Sequence, residues 1–311
     1  MSTLVQVSHL SKQFQHLTAV DDLSFNVEEG DVYGFLGQNG AGKSTTLRML
    51  LTLIAPSSGR IEMFGKSLSS ARKEILSRVG AMIEKPDLYK YLSAYDNLEL
   101  FVRLSGIRPQ RAKLMAELER VGLAGRAKDA VRTYSQGMKQ RLGIAIALAH
   151  DPDLVILDEP TNGLDPQGIA DIRNLILHLH KDLKKTLIIS SHLLSEMEQV
   201  ATRILIIDQG KKMMEGYTAS LLDPSRTIVS LQTTDNKAAG DFLAGSAWSS
   251  ALQETKESEI LLQMRKDRIP ELVRDLIAQA VAVLSVQARH SLEDYFLQVT
   301  TGKQHVDTHA H

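Results

Sequence analysis

Apolar runs of strand length, each closed by a glycine, an acid or a histidine, recur along this chain. They are "DVYGFLG" (31–37), "DLVILDEP" (153–160), "TLIISSH" (186–192) and "ILIIDQG" (204–210). Their cores hardly alternate between apolar and polar, which is the signature of strands buried on both faces of a parallel sheet. Helical periodicity fills the intervals. "KSTTLRMLLTLI" reads as a helix stopped by "APSSG", "LLSEMEQVA" as a short one, and "IADIRNLILHLHKD" carries Ile169, Ile172, Leu175, Ile176 and Leu179 on one stripe. Residues 4–8 and 23–27, "GRIEMFG" and "RVGAMIE" read as further strands, and the stretch from Tyr91 to His150 as largely helical. Strands alternating with helices predict an α/β fold.

The pattern changes after Gly216. "TIVSLQTTD", "EILLQMR" and "AVLSVQARH" alternate as half-buried strands do, with "PELVRDLIAQA" and "SLEDYFLQVT" as helices. The chain is therefore expected to hold a nucleotide-type domain at 1–222 with a helical subdomain at about 87–150, a small α+β domain at 223–302, and a disordered polar tail at 303–311. A hydrophobic content of 43 % in 311 residues is ample for a core. A net charge of −1 offers no overall basic field, so no nucleic-acid partner is expected. Without cysteine, disulfides and thiolate metal sites are excluded. The N-terminus lacks a signal-peptide pattern and no apolar run nears the ~18 residues that span a bilayer. The chain is expected to be soluble, with any membrane role needing a separate partner.

The chemistry concentrates at strand ends. "GQNGAGKST" (Gly37 to Thr45, with Asn39 and Ala41 inside it) fits G-x-x-x-x-G-K-[ST] between a strand and a helix, the setting in which that pattern cradles phosphates. Gly37, Gly40 and Gly42 let backbone N–H groups turn inward, Lys43 offers a point charge to the terminal phosphates, and Ser44 offers a hydroxyl to Mg²⁺. "LVILDEP" puts Asp158 and Glu159 at the ligand-binding edge of such a sheet. Asp158 suits a water-mediated role on Mg²⁺, and Glu159 suits a base for an attacking water. His192 ends another strand at the same edge. "TYSQGMKQR" (133–141) has no acid–base or metal-binding group; in isolation Ser135 there reads as an ordinary helix cap.

The ordered series of phosphate loop, "YSQGMKQR", "LVILDEP", "GLDP" and "SSH" resembles the ATP-binding subunit of ABC transporters over about residues 2–218. The resemblance implies a P-loop fold with a RecA-like core, an antiparallel β subdomain and a helical signature subdomain. It implies ATP and Mg²⁺ as ligands, an ATPase activity, and two copies closing head to tail over two ATP molecules. Ser135, Gln136 and Gly137 would then face the γ-phosphate held by the other protomer, and Asp165 would couple the two sites. His192 would contact γ-phosphate, and Phe14 would stack on adenine, the lesser alternative for that position being a buried core residue. Glu84 stands where most relatives carry glutamine, as a metal and ATP contact or else a solvated strand end. Tyr134, Gln136 and Met138 depart from the usual signature.

Glu84, "GMKQRLGIAIAL" and "SLEDYFLQVT" are similar to the subfamily serving bacitracin resistance and lantibiotic immunity. That likeness implies antimicrobial-peptide export, with the chain cytoplasmic and held on the inner face of the membrane by a transmembrane permease. Helices from Pro86 to Ser105, with the aromatics of "DLYKYLSAYDNL", would face that partner. The alternatives are a soluble ABC ATPase of an assembly or repair system and an ABC-2 type exporter of lipid or polysaccharide.

Overall fold

A computed structural model describes residues 2–84, 86–222 and 227–289. The helix expected at 291–300 and the tail at 303–311 lie outside these residues. The chain divides into two compact units, the first ending at Gly216 and the second beginning at Tyr217.

The first unit opens with a hairpin longer than the sequence pattern suggests. β1 (Thr3–Phe14) and β2 (Leu17–Glu28) pair antiparallel along their length, with register shifts that break the alternation after Val7. Those shifts are why only 4–8 and 23–27 read as strands. The extension matters because it carries Phe14 to the hairpin tip. β3 (Val32–Leu36) follows, wholly buried, then α1 (Lys43–Leu50), which ends where Thr52 takes φ 56° rather than running to Ile54. β4 (Ser58–Met63) pairs antiparallel with β1, and β5 (Lys66–Ser67) turns back on β4, giving the sheet β2-β1-β4-β5. α2 (Arg72–Leu76) leads to β6 (Val79–Met82).

Three helices come next: α3 (Ala94–Leu104), α4 (Arg111–Arg120) and α5 (Gln136–Leu148). Ser93 and Asp96 close a capping box on α3. The buried Asn97 amide pins the preceding turn through Tyr89 N (2.8 Å) and Tyr89 O (3.0 Å). α5 lies hard against β6: a Cβ on Gly143 would stand 2.6 Å from Met82 Sδ. β7 (Leu154–Asp158), α6 (Pro166–Lys181), β8 (Thr186–Ser191), the short α7 (Leu194–Glu198), β9 (Arg203–Asp208) and β10 (Lys211–Tyr217) complete the unit. The second sheet runs β10-β9-β3-β8-β7-β6, with every pair from β9 to β6 parallel. Phe25 of β2 stacks on Tyr33 of β3, ring centroids 5.7 Å apart, and joins the two sheets in one core.

After α8 (Thr218–Leu221), the second unit runs β11 (Thr227–Thr233), α9 (Asn236–Ala244), β12 (Leu252–Thr255), β13 (Ile260–Met264), α10 (Ile269–Ala278) and β14 (Val283–Arg289). Its sheet is antiparallel in the order β12-β13-β11-β14, the split βαββαβ arrangement. α9, which the apolar pattern does not announce, starts at Asp235, whose carboxylate accepts from Ala238 N at 3.0 Å.

The chain's single tryptophan, Trp248, is buried in this second core, where its indole Nε1 donates to Asp275 Oδ2 at 2.9 Å and Arg268 covers its ring. Tryptophan fluorescence therefore reports unfolding of this unit alone. Asp275→Ala orphans the indole N–H and is expected to destabilise the unit by about 1–3 kcal/mol in urea titrations followed at Trp248. An unmoved midpoint would show that the bond contributes nothing.

Candidate functional site

A cleft of about 620 Å³ lies at the carboxyl edge of the parallel sheet. Its walls are the hairpin tip (Phe14, Leu17, Thr18), the loop and helix start (Gln38, Asn39, Gly40, Gly42, Lys43, Ser44, Thr45), Glu159 and Gln209. The loop owes its shape to close packing. Gly42 sits at φ 104°, and a Cβ there would come 2.5 Å from Ala19 O; the loop is clamped by Gly210 N donating to Ala41 O at 3.0 Å. Gly40 also has positive φ, but Gly37 does not: it is glycine because a Cβ would stand 2.4 Å from Ile207 O. So Gly37 and Ala41 shape the loop from behind, and neither is part of the cleft wall. Gly42 caps α1 with no side-chain acceptor for the first N–H groups, which leaves a helix start suited to an anion.

Lys43 is only 5 % exposed. Its ammonium donates to Gly37 O (2.8 Å) and Gln38 O (3.2 Å) and pairs with Glu159 Oε1 at 3.2 Å. The other Glu159 oxygen lies 2.5 Å from His192 Nδ1. Glu159 holds a left-handed backbone, φ 49°, immediately after β7. That turn separates its side chain from the buried Asp158, whose Oδ1 accepts from Ser190 Oγ at 2.5 Å. The same Ser190 hydroxyl accepts from Glu159 N at 2.9 Å. One β8 serine thus ties both acids at the end of β7 to their positions. Ser190 was missed in the sequence; its signal was a serine at the buried end of an apolar strand, where an unpaired hydroxyl would be costly.

Register explains the gathering. Asp158 pairs with Ser190 across β7 and β8, and Leu36 with Ser191 across β3 and β8. Parallel pairing therefore delivers the phosphate-type loop, both acids and His192 to one edge.

Other candidates stand differently. Phe14 is 44 % exposed and walls the cleft, so it is not a core residue. Glu84 sits at φ 60° and pairs with Arg48, one turn along α1 from Ser44, rather than lining the cleft. Ser135 caps α5, its Oγ accepting from Met138 N at 3.2 Å; Asp165 caps α6, accepting from Gly168 N at 3.0 Å. Ser135, Gln136, Gly137 and Asp165 do not wall the cleft. The two helix starts are neighbours: a Cβ on Gly137 would lie 3.9 Å from Gly168 Cα.

The comparisons with known proteins converge. A model of the ABC transporter family matches residues 20–162. The bacitracin transport ATP-binding protein BcrA of Bacillus licheniformis is 41 % identical over 97 % of this chain and 99 % of its own length. The lantibiotic transport ATP-binding protein SrtF of Streptococcus pyogenes is 42 % identical over 68 % of this chain and 90 % of its own. A solved ATP-binding subunit of an ABC transporter superposes with a TM-score of 0.62 at 28 % identity, covering 70 % of this chain and 92 % of that one.

Ser190→Ala removes the hydroxyl that donates to the buried Asp158 carboxylate and leaves the Glu159 N–H only the Ser190 carbonyl, 3.2 Å away. The first unit is expected to lose about 1–3 kcal/mol, read by urea unfolding followed by circular dichroism. A variant as stable as the parent would mean that the hydroxyl does not hold the acids in place.

Proposed function

This chain belongs to the ABC transporter ATP-binding proteins and is an ATPase, and we propose that it closes head to tail on a second copy over two ATP molecules to drive a separate transmembrane permease. The observation that carries the reading is the Lys43–Glu159–His192 chain, anchored on the buried Lys43, beside an uncapped helix start. A buried ammonium held by two loop carbonyls and one carboxylate is a phosphate site with a carboxylate in the phosphates' place. Backbone N–H groups of residues 38–45 and the Lys43 ammonium bind the β- and γ-phosphates, and Glu159 exchanges Lys43 for the attacking water. Glu159 takes that water's proton as its oxygen bonds to the γ-phosphorus and the bond to the bridging oxygen breaks. His192 orients the Glu159 carboxylate and reaches the γ-phosphate. Phe14 stacks on the adenine.

Mg²⁺ fits the donors present. Among the described residues no three acids or histidines form a metal cage, and Mg²⁺ characteristically takes one or two carboxylates together with substrate phosphates and keeps several waters. Ser44 and Glu84 would hold it, the latter after leaving Arg48, and Asp158 would do so through water; bound there, it would neutralise charge on the β- and γ-phosphates.

The caps at Ser135 and Asp165 support the dimer. Both lie away from the chain's own cleft, at adjacent helix starts: α5 is capped by the neutral Ser135 hydroxyl, which leaves its start suited to an anion, while at α6 the Asp165 carboxylate takes the Gly168 N–H. Ser135 with Gln136 and Gly137 addresses the partner's γ-phosphate, and Asp165 couples the sites. Tyr89 and Tyr91, 53 % and 89 % exposed ahead of α3, offer the permease a docking surface. No helix among the described residues is long and apolar enough to cross a membrane. In this reading the permease holds the chain to the inner face of the membrane. The relatives named for bacitracin and lantibiotic transport point to antimicrobial-peptide export as its task.

Glu159→Gln keeps shape and loses the base: ATP binding is expected to persist while turnover falls at least a hundredfold, and light scattering should show an ATP-dependent dimer. Adding Ser135→Arg should abolish that dimer. A Glu159→Gln protein that turns over at the parental rate would remove the base assignment, and one that stays monomeric under saturating ATP would remove the shared site. Glu84→Gln is expected to keep binding and substantial hydrolysis with a lower Mg²⁺ requirement, measured by titrating Mg²⁺ at fixed ATP. An unchanged requirement would take Glu84 off the metal.

A further inference from the structure

Lys12 lies on β1 two residues before Phe14, outside the cleft wall. Its ammonium sits 4.8 Å from the centre of the Phe14 ring and donates to Ala55 O at 2.7 Å. Phe14 itself walls the cleft, and the Lys12 ammonium lies over its ring. Ala55 belongs to the turn that follows α1, the helix whose first residue is Lys43. The same turn is tied to β1 twice more, by Ser57 N to Ser11 O (2.8 Å) and Gln13 N to Ser57 Oγ (3.0 Å).

We propose that Lys12 is a positioning residue for nucleotide binding: its ammonium ties the Phe14 ring to the end of the α1 element, and so fixes the span between the base platform and the phosphate loop. The proposal rests on the reading of Phe14 as the adenine platform. An exposed phenyl ring at a hairpin tip has free rotamers, and ordering it on a ligand costs entropy. A cation held by a backbone carbonyl and facing the ring removes that freedom beforehand. The brace also explains why an exposed aromatic can serve a ligand whose other end is anchored on a different element.

The test measures binding of ATP and of inorganic tripolyphosphate by calorimetry to the full chain carrying Glu159→Gln, so that no turnover intervenes. Lys12→Met, which keeps the stem and loses the charge, is expected to weaken ATP about two- to fivefold and to leave tripolyphosphate unchanged. Lys12→Arg should restore ATP affinity. In a Phe14→Ala background the Lys12→Met effect should vanish, because there is no ring to brace. With Glu159 intact, the loss should fall on KM rather than kcat. If the Lys12→Met chain binds ATP as tightly as its parent while Phe14→Ala still weakens ATP, the brace alone is overturned. Parallel losses of ATP and tripolyphosphate overturn it too, since they would mean that Lys12 merely holds the hairpin. If Phe14→Ala leaves ATP affinity unaltered, the platform reading falls and the brace with it.

Discussion

A buried ammonium is the constraint around which this site is built. Lys43 is withdrawn from water, and a charge so placed must be paired and hydrogen-bonded to offset its lost hydration. Two loop carbonyls and the Glu159 carboxylate meet that demand. The carbonyls are available only because the loop is tightly folded, which in turn needs Gly42 against Ala19 and Gly37 against Ile207. The carboxylate is available only because Glu159 leaves β7 in a left-handed turn while Ser190 restrains Asp158 beside it. Holding the partners of Lys43 thus places a requirement on four strands: β3 for the loop, β7 for the acids, β8 for the serine that ties them, β9 for the wall behind Gly37. The parallel register of those strands is the means by which one cation recruits all of them.

Much of this could be read from the residues. The apolar runs at 31–37, 153–160, 186–192 and 204–210 all proved to be strands, β3, β7, β8 and β9, because a strand buried on both faces needs apolar residues at every position. The loop Gly37 to Thr45 was legible because the spacing of its glycines and lysine is set by close backbone contacts. What stayed hidden depended on distant partners. The hairpin's length was masked by register shifts, which scramble the period-two pattern. α9 was masked because its buried face consists of Ala239, Gly240 and Leu243, too small to make a stripe. Ser190 is one of two adjacent serines at the end of an apolar run, and only the neighbouring strand reveals what it serves. Arg48 was invisible as the partner of Glu84, since 36 positions separate them in the chain.

The strand order of the second unit bears on when this protein can finish folding. β11, the first strand of the unit to be made, occupies the interior of the sheet between β13 and β14. While the chain is being synthesised, both of its edges stay open until those strands emerge, and Ile228 waits for Arg289. The first unit meets no such delay at its end: β3, central in its sheet, already has β8 and β9 alongside before β11 exists. Synthesis from the N-terminus therefore hands the cell a complete nucleotide fold trailed by an unsatisfied strand. The interval in which the chain can stick to the wrong neighbour is set by the translation time of the stretch from Thr227 to Arg289.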